Sequence, residues 1–292
     1  MAKEVELCVL PNEERVDIFK RQTGTNRPVE CVWNVPGLED IGPRKPKPNL
    51  QTPLKLFYGG SLAPARLSPL ILQEIIKLAG RIELEIVGYA TYDAQTYIES
   101  FVRLNDKTGN KSITYHGALA QRGELLAVAD RCEAALCLMP MSSQDLNMRT
   151  MAGASNKPFD AMARGLAVVV ADLPAWTSMY LEERKEEAGV GGDPGCRIPD
   201  PGEKSNAKDT MSKDTRNPEF RVPDPGKGYG IAIDPESDES IRAGLKWMLN
   251  NREKLWEMGE RGRQKIQNEW NYKRLFQPVL DRLRVVNLES TA

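Results

Sequence analysis

Two segments of the chain carry residues that could bind a phosphate group. In the first, the glycine pair Gly59 and Gly60 is followed by Ser61 and, five residues later, by Arg66. Glycines let the backbone approach an anion closely, and a guanidinium can donate two hydrogen bonds to one phosphate. The segment predicts a phosphate site, with an ordinary strand-to-helix turn as the alternative. It is not a Walker loop, because no Gly-Lys-Ser/Thr follows.

The second segment combines a short helix with polar residues near its start. Asn156 and Lys157 open the helix, Pro158 suits its first turn, Asp160 follows, and Gly165 ends it. A carboxylate at such a helix N-terminus can accept hydrogen bonds from ribose hydroxyls, while free N–H groups and the lysine can face phosphates. The alternative is that Asp160 only balances the helix dipole.

These segments lie in a region where short apolar runs alternate with stretches of helical spacing. Such alternation predicts an α/β fold with a doubly wound parallel sheet, because parallel neighbours need long crossover connections. Val168 to Val170 are apolar on both strand faces, which predicts a buried strand. Ligands of such sheets bind at the carboxyl ends of the strands, where both segments begin. The strands are predicted at 54–58, 82–87, 112–116, 134–139 and 167–171, and the helices at 68–79, 91–104, 121–129 and 158–164.

Residues outside this region set the expected domain organisation. Residues 1–42 are predicted to form a strand, a helix and a strand, and the proline-rich residues 43–53 a stiff, solvated linker. Residues 54–269 form the main domain, in which the polar tract at about 186–228 reads as a flexible insertion. Residues 270–292 form a closing helix and tail.

Composition bounds the class of protein. Lys and Arg total 40 against 41 for Asp and Glu, so the net charge of -1 provides no global field for nucleic acid or an anionic membrane. No apolar run is long enough to span a bilayer, and the N-terminus has no secretion signal. The five cysteines form no CxxC pair and are expected to be reduced thiols of a cytoplasmic protein. His116, the single histidine, is expected to have a core or turn-stabilising role rather than to contact a nucleotide, and it is not proposed as catalytic.

The two segments resemble the C-terminal, donor-binding domain of retaining GT-B glycosyltransferases of group 1. Phe57 to Leu62 resembles a strand ending in Phe-x-Gly-x-Leu, and Asn156 to Val169 resembles the family's Pro-Asn-Lys-x-x-Glu-x-x-Ala-x-Gly-x-Pro-Val-Val segment. Val5 to Pro36 resembles the last strand and helix of the family's N-terminal domain, and the helix after Trp270 resembles the one that crosses back to it. The resemblance implies a Rossmann-like GT-B C-terminal half with a partial N-terminal lobe.

The resemblance also implies roles for the site residues. The backbone of Gly59, Gly60 and Ser61 would meet the donor diphosphate. Arg66 would stabilise the leaving group, and Asp160 would hold the ribose, flanked by Asn156 and Lys157. The donor would be a UDP-sugar or GDP-sugar, with no metal or other cofactor. The acceptor, a glycan, lipid or small molecule, would need a lobe that a partner chain could supply.

Three positions depart from the family pattern and keep alternatives open. Ser61 stands where an arginine is frequent, Ala152 replaces the second carboxylate eight residues before Asp160, and Asp160 itself is shorter than the usual glutamate. A truncated or donor-half hexosyltransferase is the first hypothesis, and a non-catalytic nucleotide-sugar-binding or regulatory subunit is the alternative. An epimerase of GT-B shape or a dinucleotide enzyme is a third, although no GxGxxG follows the first strand.

Overall fold

A mostly parallel sheet forms the centre of the molecule. The computed structural model describes residues 4–91, 95–107, 109, 111–181, 220–223 and 226–289. Within them the main sheet has seven strands in the order β5-β4-β3-β6-β7-β9-β8, all parallel except β8 against β9, and β1 and β2 form a separate parallel pair. The predicted α/β fold with a doubly wound parallel sheet is confirmed. The strands are β1 Cys8–Leu10, β2 Val29–Cys31, β3 Leu54–Gly59, β4 Ile82–Val87, β5 Ile113–Tyr115, β6 Ala134–Cys137, β7 Ala167–Ala171, β8 Phe220–Arg221 and β9 Gly230–Ile233.

Helices cover both faces of the sheet. The short helices Leu146–Arg149 and Pro174–Tyr180 were not predicted, and the closing helix predicted within residues 270–292 is divided into two, Tyr272–Leu275 and Gln277–Glu289. A 3-10 turn, Leu38–Asp40, precedes the linker. The helices are α1 Glu13–Thr23, α2 Pro69–Lys77, α3 Gln95–Lys107, α4 Arg122–Ala129, α5 Leu146–Arg149, α6 Asn156–Ala163, α7 Pro174–Tyr180, α8 Asp238–Asn250, α9 Arg252–Asn268, α10 Tyr272–Leu275 and α11 Gln277–Glu289.

Strands β3, β4, β6, β7 and β9 contribute to two apolar cores because their side chains alternate between the faces of the sheet. In β7, Val169 packs into the core under α2, α3 and α8, whereas Val168 and Val170 pack into the core under α4, α6 and α7. All five residues of β7 are buried, as predicted from its continuous apolar run. This double coverage fixes the strand ends, and therefore fixes the loops that follow them.

The order of the strands creates a switch point between β3 and β6. From β3 the chain continues through β4 and β5 on one side, and from β6 through β7 and β9 on the other. Connections therefore diverge there, and their loops leave a crevice at the carboxyl edge. The loop after β3 forms one wall of this crevice, and the N-terminus of α6 lies across from it.

The N-terminal segment is docked on the main sheet domain. The side-chain amide of Asn34 donates to the carbonyl of Ala154 (2.6 Å), and the ring of Trp33 lies 6.1 Å from that of Phe159. Most of the linker at 43–53 is exposed, as expected. Lys45 differs, since its ammonium donates to the carbonyl of Cys132 (2.5 Å) and its own carbonyl accepts from the indole of Trp256 (2.9 Å). The predicted division into domains stays a prediction.

Helix α6 is held in position by its end and by α9. It ends in a Schellman motif, with the N–H of Leu166 donating to the carbonyl of Ala161 (3.0 Å). Gly259 of α9 lies against this end so closely that a Cβ there would be 2.2 Å from the carbonyl oxygen of Gly165. Any larger residue would push the two helices apart, so a glycine sets the position of α6.

The predicted insertion at about 186–228 falls mostly outside the described residues. Residues 220–223 and 226–228 are described, and they include β8 at the edge of the sheet. Arg221 of β8 pairs with the carboxylate of Asp172 after β7 (2.9 Å). Cys196 also lies outside the described residues, whereas the cysteines at 8, 31, 132 and 137 are free thiols.

Candidate functional site

The two predicted segments meet at the carboxyl edge of the sheet. Gly60 follows β3 with φ +130°, and a Cβ at this position would lie 2.6 Å from Cε of Lys157 at the start of α6. Glycine is therefore needed both for the backbone conformation and for the space that the lysine fills. The contact brings the loop after β3 and the N-terminus of α6 to one side of the sheet.

A chain of hydrogen bonds connects the predicted residues through a tyrosine. The ammonium of Lys157 donates to the hydroxyl of Tyr58 (3.0 Å), which donates to the carbonyl of Ser61 (2.7 Å). The guanidinium of Arg66 in turn donates to the hydroxyl of Ser61 (2.8 Å) and reaches the sulfur of Met148 (3.2 Å). Arg66 therefore places its charge beside the residue that stands where an arginine was expected.

Arg66 and Lys157 are two nearby cations that have no anionic partner in the part of the chain that the structure describes. No carboxylate of the described residues lies within 4 Å of either one, although both are partly buried. Burial, with a contribution from the guanidinium of Arg66, lowers the pKa of Lys157 to about 8. Two neighbouring cations in a partly desolvated place favour an anion between them. The anion would reduce the repulsion between the cations and would offset the free-energy cost of their desolvation.

The backbone supplies less to this place than the glycine pair predicts. The N–H of Gly60 donates to the carbonyl of Val87 (2.9 Å), and Gly59 belongs to the ladder with β4. In the described part of the chain, the N–H of Ser61 has no hydrogen-bond partner. We call Ser61, Arg66 and Lys157 the cationic half of the site.

Asp160 lies in a different setting on the same helix. Both of its carboxylate oxygens accept from Arg122 (3.1 and 2.6 Å), and Asn156 donates to one of them (3.1 Å). Arg122 also donates to the carboxylate of Asp40 at two distances of 3.2 Å. Burial raises the pKa of Asp160, and the hydrogen bonds from Arg122 oppose that shift. We call Asp40, Arg122 and Asp160 the paired half of the site.

Arg122 and Asp40 were missed from the sequence, although Arg122 carries a signal. It occupies the first turn of α4, where the helix dipole disfavours a cation. An arginine at such a position indicates a carboxylate partner elsewhere in the fold. Its partner could not be named from the sequence, because 38 residues separate Arg122 from Asp160. Tyr58 was part of the first segment but was given no role.

The remaining residues singled out in the sequence lie outside this cluster or contribute only backbone. His116 pairs with Glu85 (2.5 Å), in a contact within the sheet domain. The carbonyl of Ala152 accepts from the side chain of Asn12, so this position fastens the N-terminal segment. Among the described residues no group of three or more His, Cys, Asp and Glu side chains could hold a metal ion. No described helix is long and apolar enough to cross a membrane.

A cavity of about 510 Å³ adjoins the paired half. Its wall includes Arg122, Asp160 and Asn156 on one side and Trp33 and Tyr272 on the other. Tyr272 is 48% exposed. The cavity therefore lies between the N-terminal segment and the sheet domain, next to the crevice at the switch point.

Comparison with known proteins places this fold. No family model matches the sequence, and a search of curated proteins finds no match. Among solved structures, HepE of Anabaena in complex with UDP and glucose has a TM-score of 0.59 at 11% identity, with 96% of this chain and 64% of HepE covered. The sucrose-phosphate synthase of Thermosynechococcus elongatus has a TM-score of 0.58 at 12% identity, with 100% of this chain and 60% of the synthase covered.

A third similar structure contains only part of its protein. It is the C-terminal domain of a glycosyl transferase group 1 family protein, LpcC, from Francisella tularensis, with a TM-score of 0.52 at 12% identity. The match covers 81% of this chain and 98% of that domain. The chain thus spans about 64% of HepE but nearly all of an isolated C-terminal domain. At these identities the likeness shows the fold, which is that of GT-B glycosyltransferases, as the resemblance implied.

Proposed function

We propose that this chain binds the diphosphate of a nucleoside-diphosphate sugar at the β3–β6 switch point and acts as the donor half of a retaining hexosyltransferase. The observation that carries the proposal is that Arg66 binds Ser61 directly and Lys157 reaches it through the hydroxyl of Tyr58, while neither cation has a carboxylate partner in the described structure. The similarity of the fold to glycosyltransferases, one of them crystallised with UDP and glucose, supports the same conclusion.

The cationic half would act on the leaving group. When the bond between the sugar and the diphosphate breaks, negative charge grows on the phosphate oxygens, and fixed donors stabilise that charge more than they stabilise the ground state. Arg66 would supply a two-pronged donor, Lys157 a point charge and Ser61 its unused N–H. These groups belong to the protein, so the proposal assigns this task to no metal ion or other cofactor.

The nucleoside would extend from the diphosphate toward Asp160. Lys157 and Asp160 lie three residues apart on α6 and therefore on neighbouring parts of its surface. A carboxylate there can accept the hydrogen bonds of ribose hydroxyls, and Asn156 could add a further contact. The glycan, lipid or small-molecule acceptor would bind to a lobe that this chain does not supply, either within a longer protein or from a partner chain.

Calorimetry with UDP, UDP-glucose, GDP and GDP-mannose tests the proposal. We expect at least one of these diphosphates to bind, and we expect Arg66→Met to weaken that binding about tenfold or more through loss of a charge-assisted hydrogen bond. The exposed Arg149, on the neighbouring α5, provides the matched control, because Arg149→Met removes the same charge outside the cluster. The absence of binding by all four ligands at millimolar concentration would refute the proposal.

A non-catalytic nucleotide-sugar-binding subunit is the second candidate. It is favoured by Ala152, which places no carboxylate eight residues before Asp160 and whose carbonyl is engaged by Asn12. This candidate shares the ligand but not the reaction. The two are separated by incubating the chain with the diphosphate sugar that it binds: release of free sugar or transfer to an acceptor eliminates the non-catalytic candidate.

A further inference from the structure

Helices α4 and α6 are joined by an arginine–aspartate pair at each end. At their N-terminal ends Arg122 of α4 holds Asp160 of α6 (2.6 and 3.1 Å). At their C-terminal ends the direction is reversed, and Arg164 after α6 holds both oxygens of Asp130 after α4, one of them at 2.7 Å. Each pair ties together the corresponding ends of the two adjacent helices. The N-terminal pair differs because it lies at the candidate site.

Arg122 covers the carboxylate that the ribose needs. The side chain of Asp160 is only 11% exposed, and Arg122 and Asn156 already occupy both of its oxygens. A carboxylate has about four acceptor positions, so some capacity remains, but little of the group faces solvent. A ribose hydroxyl therefore reaches Asp160 only where the guanidinium now lies.

Arg122 can leave Asp160 without losing all its partners. Its side chain is 44% exposed, and it donates to Asp40 as well as to Asp160. After departure from Asp160 the guanidinium keeps the second carboxylate and contact with water, so its own charge stays paired. Asp160 keeps the hydrogen bond from the side-chain amide of Asn156. The cavity of about 510 Å³, which is lined by all three residues, provides the room for this exchange.

We propose that Arg122 is an internal competitor for the ribose position: it occupies Asp160 in the empty protein, and a bound nucleoside diphosphate moves it onto Asp40 alone. This inference rests on the proposed donor site and adds a residue that controls its selectivity. The ribose hydroxyls of a nucleoside diphosphate replace the hydrogen bonds that Asp160 loses when Arg122 moves away. Pyrophosphate has no ribose, so it cannot replace them. The competitor thus makes binding at the site dependent on the nucleoside.

The test compares UDP and pyrophosphate binding by calorimetry in the wild-type chain and in Arg122→Gln. Gln keeps a neutral donor near Asp160 but removes the two-pronged ion pair. We expect the variant to bind UDP about five- to tenfold more tightly, as follows from the loss of one competing charged hydrogen bond, and to bind pyrophosphate as the wild type does. Arg282→Gln, which breaks an arginine–glutamate pair of similar exposure (46% and 15%) between α11 and Glu30 of β2, is expected to leave both affinities unchanged.

For a second variant we expect the UDP affinity to change in the opposite direction. Asp40→Asn weakens the carboxylate that receives Arg122, so Arg122 remains on Asp160 and UDP affinity falls about two- to threefold, the effect of a partly exposed ion pair. Weaker or unchanged UDP binding by Arg122→Gln overturns the inference, as does equal tightening by Arg282→Gln. If no variant binds either UDP or pyrophosphate, the donor site itself is refuted and the competitor falls with it.

Discussion

Lys157 and Asp160 lie three residues apart on α6, yet their surroundings are opposite. In the cationic half, Lys157 and Arg66 have no carboxylate partner among the described residues, and the N–H of Ser61 is unused. In the paired half, every oxygen of Asp160 already has a donor. The difference indicates that the cationic half needs an anionic ligand to neutralise its charge. In the paired half Asp160 already has its donors, so a ligand must displace Arg122 to reach it.

The largest expected effect is that of Phe159→Ala, which destabilises the helix that carries residues of both halves. Phe159 lies between Lys157 and Asp160 in the sequence and is fully buried. The centre of its ring lies 6.1 Å from that of Trp33 and 5.9 Å from that of Trp270. Phe159→Ala is expected to lower the free energy of unfolding by about 3–5 kcal/mol, because it leaves a cavity under α6. Urea unfolding followed by tryptophan fluorescence measures this. Phe159→Leu serves as the volume-preserving control and should cost less than about 1.5 kcal/mol; equal losses would contradict the cavity argument.

The next effect separates the halves. Lys157→Met should weaken both UDP and pyrophosphate binding by about 10- to 100-fold, since it removes a charge-assisted contact to phosphate. Asp160→Asn should weaken UDP binding but change pyrophosphate binding less than about twofold, because only the nucleoside reaches the paired half. Titration calorimetry of both variants with both ligands gives the four dissociation constants. A similar loss of pyrophosphate binding in both variants would show that the halves are one unit.

The third effect is a dependence of binding on pH. Burial holds the pKa of Lys157 at about 8 in the empty protein, and a bound diphosphate raises it. Between the two values binding takes up a proton, so UDP affinity stays level up to about pH 8 and falls above it, by at most about tenfold per pH unit. Calorimetry at pH 7, 8 and 9 measures the profile. Lys157→Met should flatten it, and an unchanged slope in that variant would assign the dependence to another group.

The smallest effect contrasts Lys157 with a buried lysine outside the site. Burial also lowers the pKa of Lys45, from 10.5 to about 8. Between these values the unfolded chain binds a proton that the folded chain does not, so the free energy of unfolding rises with pH across this window. Lys45→Met should reduce that rise in urea unfolding at pH 8, 9 and 10. Unlike Lys157→Met, it should leave UDP affinity unchanged, and a loss of affinity would extend the site to the linker.

The sequence predicted those parts of the molecule that local patterns determine. The apolar alternation located the five predicted strands of the main sheet, of which the central β6 and β7 are buried on both faces, and Pro158 and Gly165 marked the start and end of α6. Short helices such as α5 and α7 escaped, since four to seven residues carry too little periodicity to be distinguished from a loop. The residues of the cationic half could be singled out from local patterns too, since Ser61 and Arg66 come soon after the end of β3 and Lys157 lies at the start of α6.

The paired half could not be predicted because long-range packing creates it. Arg122 meets Asp160 only when α4 and α6 lie side by side, which depends on the order of β3 and β6 in the sheet. The placement of Lys45 under Trp256 is likewise a tertiary contact that a proline-rich sequence does not reveal. The roles assigned to Arg66, Lys157 and Asp160 stay predictions until ligand binding is measured.

The docked N-terminal segment has a practical consequence for dissecting the protein. The proline-rich residues 43–53 look like a natural place to cut, but a truncation starting at residue 54 would remove Trp33 from the face of Phe159 and Lys45 from its carbonyl partners. The remainder would expose an aromatic surface to water and would be prone to aggregate. The smallest soluble piece worth expressing therefore begins before β1, even though the main sheet begins at β3.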